Sequence, residues 1–374
     1  MSESYDIIVV GAGIAGASAA ARLAADARVL LLEREEQPGY HSTGRSAAMY
    51  IVNYGPPDVR ALSIAGREFF LGPPEGFADT PLVSPRGVLM LAHPGQEAIL
   101  DKELAASVGM EAISPETARE LVPLLRPEAV AAAGYESDAQ DIDVAALHQG
   151  FLRLFRARGG QMQLRAPLDS AKRKSGVWEV TTPAGTFEAP ILINAAGAWA
   201  DLTAEAAGVR PLGIQPKRRT ALIIDGAPGE PGSARWPLMA DCGETWYCRP
   251  EATRKLLVSP ADATPTEPCD ARPEELDVAL AVDRFQQAVD LPVQRIEHSW
   301  AGLRSFSPDG SLVIGFDAEA EGFFWMAGQG GYGIQTSPGA SALAAALVRK
   351  ESLPSYLTAA GVDPQALSPA RFRR

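Results

Sequence analysis

A glycine turn set between a buried strand and a small-residue helix constrains this chain more than any other feature. Tyr5–Val10 is a mostly apolar run ending at Gly11, which reads as a buried parallel strand. Gly13 and Gly16 follow, and Ile14–Ala25 is alanine-rich and helical in character. Val29–Leu32 is a second apolar run, closed by Glu33 and Arg34. Strand, turn, helix, strand and acid fill about thirty residues, the length of one βαβ unit. The first glycine permits the tight turn, the second lets backbone approach a pyrophosphate, and the third lets helix and strand pack closely. The helix start, with Ile14 and Ala15 in its first positions, offers N–H groups and a positive dipole end to phosphates. Glu33 stands where an acid can bond ribose hydroxyls. The spacing therefore predicts a dinucleotide-binding fold.

Two further segments turn that expectation toward FAD. Gly328-Gln329-Gly330-Gly331-Tyr332-Gly333 is a second glycine cluster, followed by Ile334 and by a helix expected over Thr336–Arg349. Two distant glycine-rich helix starts suit one long ligand, held at the pyrophosphate by one and at the isoalloxazine by the other. A helix N-terminus near the flavin N1–C2 oxygen would stabilise the anionic reduced ring. His41-Ser42-Thr43-Gly44-Arg45-Ser46-Ala47-Ala48 is small, polar and glycine-bearing, fit to pass under a ring system. Read one at a time, these segments are also compatible with plain loops.

The chain has 374 residues, a length that suits two lobes. Its formal net charge of −12 disfavours nucleic acid and anionic membranes as partners. The three cysteines, Cys242, Cys248 and Cys269, have neither metal spacing nor a disulfide framework. No basic start with an apolar run opens the sequence, and no stretch of about 18 apolar residues occurs. These points predict a cytoplasmic protein with no membrane span and no metal.

Elsewhere, Val59–Phe70, Gln96–Val108, Pro115–Leu121 and Val144–Arg156 read as helices, with Ser114 and Asp143 as N-caps. Gly87–Leu91, Ile191–Asn194 and Phe323–Ala327 read as strands, and Val177–Thr182 with Thr186–Ala189 as a hairpin. Thr220–Ile224, Thr245–Arg249 and Lys255–Ser259 read as strands of a second sheet. Arg219 and Arg304 are candidates for an anion clamp, since guanidinium matches carboxylate in a bidentate way. Tyr54, Tyr247 and Tyr332 could donate hydroxyls to a ligand. Taken singly, each such residue is also compatible with packing or a surface role.

These segments together resemble the D-amino-acid oxidase (DAO) family of flavoproteins, which includes glycine and sarcosine oxidases. Within it the pattern is most similar to that of bacterial D-arginine dehydrogenases. The resemblance rests on Gly11–Ser18, Gln37–Ala48, Asp141–Asp143, Ala146–Gly150, Asn194–Trp199, Gln215–Arg219, Trp300–Phe306 and Gly322–Ser337, in order along nearly the whole chain. It implies an α/β fold, with a Rossmann-like βαβ FAD lobe and a sheet-rich substrate lobe. The FAD lobe would comprise residues 1–84, 140–214 and 305–374, and the substrate lobe 85–139 and 215–304. It also implies that Ala196, Gly197 and Trp199 help hold FAD, and that Arg219, Arg304 and Tyr247 hold a substrate carboxylate. Tyr54 would cover the site from a mobile loop, Ile51–Pro57, and the carbonyl of Gly331 would receive the substrate amine.

Two departures from the arginine-oxidising pattern bear on specificity. Val88 stands where those enzymes carry a glutamate that pairs with the substrate guanidinium, and Met49 stands where they carry a histidine. A cation entering an apolar pocket without a counter-charge loses hydration and gains no partner. The sequence therefore predicts an FAD-dependent D-amino-acid dehydrogenase that prefers uncharged, apolar side chains and passes electrons to a quinone or other acceptor. An oxygen-using amine oxidase of the glycine or sarcosine type is the alternative, and a non-catalytic flavoprotein subunit the second. The sequence leaves the oligomeric state open.

No cysteine lies between Arg304 and the second glycine cluster, where the sarcosine-oxidase branch attaches its flavin. Acid or heat precipitation is therefore expected to leave all the FAD in the supernatant; yellow colour retained in the pellet would mean a covalent link.

Overall fold

In a computed structural model, which describes residues 3–227, 232–251 and 254–373, the central feature is a six-stranded sheet. Its strands run in the order Gln161–Gln163, Val29–Leu32, Ile7–Val10, Ile191–Asn194, Phe323–Ala327 and Val313–Phe316. All neighbours are parallel except the last pair. Near-continuous apolar strands of this kind are buried on both faces. Ile7, Val9, Val29 and Leu31 pack toward the helices Ile14–Leu23, Val144–Ala157 and Gly333–Arg349. Ile8, Val10, Leu30 and Leu32 pack on the opposite side, against Val180 and Phe187 of a four-stranded sheet.

A nine-stranded sheet forms the second layer system. Its longest strands, Gln215–Asp225 and Ile296–Phe306, pair antiparallel, and the sheet continues through Lys255–Ser259, Tyr247–Glu251, Leu238–Asp241 and Val88–Ala92. Leu222, Ile224, Leu256 and Val258 turn one face of it toward the helix Glu275–Ala288, which buries Ala281, Phe285 and Ala288 there. The alternate residues Arg219, Ala221, Tyr247 and Val88 turn the other face toward a large cavity. That cavity opens at the carboxyl ends of the parallel strands, beside Val10, Leu32 and Ala195, where ligands of open α/β sheets bind.

The expected elements are present with shifted ends. The helix after the second glycine cluster starts at Gly333, three residues before the expected Thr336, so the last glycine of the cluster is its first residue and Tyr332 its N-cap. The first strand is Ile7–Val10, because Tyr5 donates its N–H to Glu188 of the small sheet instead. The caps Ser114 and Asp143 accept from the N–H groups of Thr117 and Ala146, as expected. The helix Glu275–Ala288 and the full length of Ile296–Phe306 were not anticipated. No helix of the described residues is long and apolar enough to cross a membrane.

One histidine ties the helix Val144–Ala157 to the dinucleotide turn. His148, buried, has its Nε2 2.9 Å from the carbonyl of Ala12, and burial holds its pKa below the ordinary histidine range. The neutral ring serves as the donor. Once pH falls through the unfolded-state value of about 6.5, the unfolded chain binds a proton that the folded chain refuses, so stability falls until the lower folded value is passed. Urea midpoints at pH 7.5 and 5.5 check this: the wild type should lose more on acidification than His148→Gln, and equal losses would remove His148 as the cause.

Candidate active site

The glycine turn closes because three side chains are missing. Gly11 has φ +98°, and a Cβ there would lie 2.5 Å from the carbonyl oxygen of Ala195. A Cβ on Gly16 would lie 1.8 Å from the carbonyl oxygen of Gly11, so Gly16 serves packing, and of the expected ligand-holding residues it alone does not line the cavity. Gly13 stands at the cavity, where a Cβ would come 3.2 Å from Thr43 Oγ1. Ile14 N–H donates to Thr43 Oγ1 at 3.0 Å, which ties the helix start to the segment 41–48. Glu33 is almost wholly buried and accepts from the N–H groups of Ala12 and Glu35, both at 2.9 Å. It therefore shapes the turn as well as facing the cavity.

At this end of the cavity, Arg34 lies 4.6 Å over the ring of Trp199, and the His41 ring packs 4.6 Å from it on the other contact. His41 Nε2 meets Glu35 at 2.9 Å, while its buried Nδ1 has no hydrogen-bond partner. The segment 42–48 then crosses the strand Ile296–Phe306: Ser42 Oγ donates to Leu303 O at 2.7 Å, and Arg45 donates to the carbonyls of Ala271 and Ala301, both at 3.0 Å. The guanidinium of Arg45 also pairs with Asp270. Arg45 is thereby committed to holding the segment, and only its flank is left for the cavity. Ser46, Ala47 and Ala48 continue the cavity wall, as do Ile14, Ala15, Ala196 and Gly197.

At the far end, Arg219 and Arg304 stand on adjacent antiparallel strands, Arg219 opposite Gly302 and Arg304 opposite Lys217. Diagonal neighbours of this kind share a face of the sheet. Among the described residues neither forms an ion pair. Arg304 donates to Tyr54 Oη at 3.2 Å; Arg219 lies 5.9 Å over the Tyr247 ring, and its buried Nε is unpartnered. Burial, and then the charge of Arg304, pull the Arg219 pKa down. Burial raises the Tyr247 pKa, but the two guanidiniums beside it outweigh that and bring it below its ordinary value. The site is thus a recessed pair of cations with phenols around them, and Asp262 acts on Arg219 through space without forming an ion pair with it among the described residues.

Gly331 lies against Tyr54 and Arg304: a Cβ there would be 2.7 Å from Tyr54 Oη and 3.2 Å from Arg304 Cζ, so any side chain would crowd both groups. Gly330, Tyr332, Gly333 and Ile334 line the same cavity, and the Tyr332 ring meets Tyr54 at 5.0 Å. Next to Tyr247, the buried side chains Met49, Val88, Ala139 and Leu238 form one apolar cluster. Met49 and Val88 both face the cavity, whose volume is about 850 Å³. Apart from Gly16, the expected residues thus meet in one place, drawn from positions as far apart as Gly11 and Ile334.

Three site residues gave no signal in the sequence. Gln335 Oε1 accepts from Ile51 N–H at 3.0 Å, at the start of the loop that carries Tyr54. Asn53 Nδ2 donates to Glu136 Oε2 and Val108 O, both at 2.9 Å, and fixes the same loop to the nine-stranded sheet. Burial pushes the Glu136 carboxyl up despite that hydrogen bond. These are contacts between residues 83 and 284 positions apart, with no local pattern to reveal them.

The described groups fit FAD: a helix start opening on a cavity, an acid and a cation–aromatic stack at one end, and an orphaned ring nitrogen on the segment between. The comparisons agree. The family profile of FAD-dependent oxidoreductases (DAO) matches residues 6–347. The cattle (Bos taurus) FAD-dependent oxidoreductase domain-containing protein 1 is 25% identical over 92% of this chain and 81% of its own length. The crystal structure of glycine oxidase from Geobacillus kaustophilus superposes with a TM-score of 0.82 at 22% identity, covering 94% of this chain and 96% of that one. That of L-proline dehydrogenase from P. horikoshii gives 0.81 at 21% identity, over 100% and 99%. The chain belongs to the DAO family of FAD-dependent oxidoreductases.

Removing one guanidinium from the cation pair is expected to weaken carboxylate binding by about 2–5 kcal/mol, or roughly 30-fold and upward. Titrating a small carboxylate against the flavin absorbance of Arg219→Ala and Arg304→Ala measures this. A change under about threefold in both, with FAD retained, would show that neither cation binds the anion.

Proposed function

We propose that the protein is an FAD-dependent D-amino-acid dehydrogenase that prefers apolar side chains over D-arginine and holds its FAD non-covalently. The observation that carries this reading is the meeting, in one cavity, of two guanidiniums that form no ion pair among the described residues with the apolar wall of Met49, Val88 and Leu238. FAD would lie between the glycine turn, the segment 41–48 and the second glycine cluster, in the lobe formed by residues 1–84, 140–214 and 305–374. The lobe of residues 85–139 and 215–304 would supply the substrate wall.

In this reading Arg219 and Arg304 hold the substrate carboxylate, and Tyr54 and Tyr247 donate hydroxyls to it. The Gly331 carbonyl receives the amine. The side chain then points to Met49 and Val88, and the α-hydrogen is left facing the segment 41–48. Bound FAD supplies a two-electron acceptor at N5 for the hydride leaving the α-carbon. The closed cavity disfavours the ammonium form, because desolvation lowers an amine pKa, so a neutral amine lone pair is available without a dedicated base. The imino acid formed is hydrolysed by water to a 2-oxo acid and ammonia. The protein's main contribution is orientation, which in good cases is worth an effective molarity of ~10⁵ M or more.

The D-preference and the choice of an acceptor other than oxygen follow from the resemblance to D-arginine dehydrogenases. The apolar preference follows from Val88, which is 2% exposed, lies within the cluster beside Tyr247 and lines the cavity. An apolar wall gains roughly 0.8 kcal/mol per buried methylene, so longer aliphatic chains should bind better until the pocket fills. Val88→Glu is expected to raise kcat/KM for D-arginine and lower it for D-leucine, shifting the ratio about tenfold or more, since the carboxylate pairs with one chain and is stranded by the other. An unchanged ratio in a folded, FAD-loaded variant would remove Val88 from the substrate pocket.

A further inference from the structure

The cavity face of the nine-stranded sheet carries a second depression. Three strands feed both. Along Gln215–Asp225, Arg219 and Ala221 line the large cavity and Ile223 the second; along Tyr247–Glu251, Tyr247 lines the first, and Arg249 and Glu251 the second. Along Ile296–Phe306, Arg304 and Gly302 line the first, and Trp300 and His298 the second. Residues two apart on a strand share a face, so the two depressions are successive stretches of one sheet surface. What divides them is the segment Gly44–Ser46: Arg45 and Ser46 line both.

The divider is thin and fixed. Arg45 spans it, bonded to the carbonyls of Ala271 and Ala301, and its own carbonyl accepts the indole N–H of Trp300 at 3.1 Å. Trp300 is therefore hydrogen-bonded to the segment that would lie under the flavin. Its other surface faces the second depression, where the exposed His298 ring stacks on it at 5.5 Å with an interplanar angle of 18°. Ile223 and Leu257 add apolar surface, and Arg249 and Arg272 add cationic groups. Arg249 is already balanced by Asp141 and Glu251, whereas Arg272 is exposed on the rim.

We propose that this depression, about 660 Å³ in volume, is a docking site for a planar quinone-type electron acceptor, separate from the substrate cavity. The aromatic stack matches a flat ring. The exposed Arg272 on the rim suits a quinone oxygen, which gains negative charge on reduction. In the step, reduced FAD gives up two electrons and one proton. The quinone takes both electrons, that proton and a second proton from solvent, and becomes a hydroquinone. Because the site is walled off by Gly44–Ser46, an acceptor there need not wait for product to leave or for the Tyr54 loop to open. The assignment rests on the dehydrogenase reading.

Oxidised holoenzyme does not react with oxidised quinone, so titrating it calorimetrically with a short-chain ubiquinone measures binding alone. Wild type should bind it. His298→Ala and Arg272→Glu should weaken binding about fivefold, and Trp300→Ala about tenfold, in line with the worth of an aromatic contact. The second-order rate at which ubiquinone reoxidises dithionite-reduced enzyme should fall in parallel, while in His298→Ala and Arg272→Glu the rate of flavin reduction by D-leucine stays unchanged. No binding by wild type, or equal binding by wild type and all three variants, overturns the site. Because dithionite replaces the amino acid, this result is independent of the substrate assignment: failure of D-amino acids to reduce the flavin would strike that assignment and leave the quinone titration standing.

Discussion

Two positive charges brought together in a recess are costly, and one end of the large cavity carries such a pair, Arg219 and Arg304, with no ion-pair partner among the described residues. Arg219 and Arg304 are held on neighbouring strands, too firmly registered to separate. Burial and the charge of Arg304 work against Arg219, and the phenols of Tyr247 and Tyr54 together with Asp262 work for it. In the proposed function an arriving carboxylate would relieve the conflict, and the interaction would be available for ordering the Tyr54 loop and placing the α-carbon, since contacts with the non-reacting part of a substrate can support orientation at the reacting part. Gly331 belongs to the same arrangement, because a Cβ there would crowd Tyr54 Oη and the Arg304 guanidinium.

The rest of the fold delivers those strands to the dinucleotide turn. The parallel sheet ends where Gly11, Ala195 and the second glycine cluster meet, and the segment 41–48 runs from there across the strand that carries Arg304. Thr43 bonds the helix start and Ser42 bonds Leu303, so one short stretch couples both ends of the cavity. A shift in that stretch would move the pyrophosphate cradle and the substrate wall together. Its outer side meets Trp300, which gives the same segment a second role as the partition between two ligand surfaces.

Much of this was legible in the sequence where the signal is local. The turn at Gly11, Gly13 and Gly16 could be read because each glycine answers a steric demand within one βαβ unit. Caps at Ser114 and Asp143 were readable for the same reason. The helix Glu275–Ala288 escaped because only Ala281, Phe285 and Ala288 are buried along it and Leu276, 68% exposed, breaks the stripe. The arginines were recognisable by type, but their lack of counter-ions is a property of the fold. Asn53, Glu136 and Gln335 were invisible, since their partners lie far away in the chain. Glu33 and Arg45 show the converse: their positions were anticipated, yet much of their hydrogen bonding goes to backbone.

Which molecules reduce the flavin tests the carboxylate clamp and the apolar wall most directly. Anaerobic mixing of the holoenzyme with D-alanine, D-methionine, D-leucine, D-arginine, sarcosine and the corresponding L-forms, followed at the flavin absorbance band, compares them in one experiment. Bleaching should be fastest with D-leucine and D-methionine, slower with D-alanine and slowest among the D-forms with D-arginine. Bleaching that is as fast with the L-forms, with sarcosine or with D-arginine would contradict the carboxylate clamp and apolar wall as the basis of this protein's chemistry.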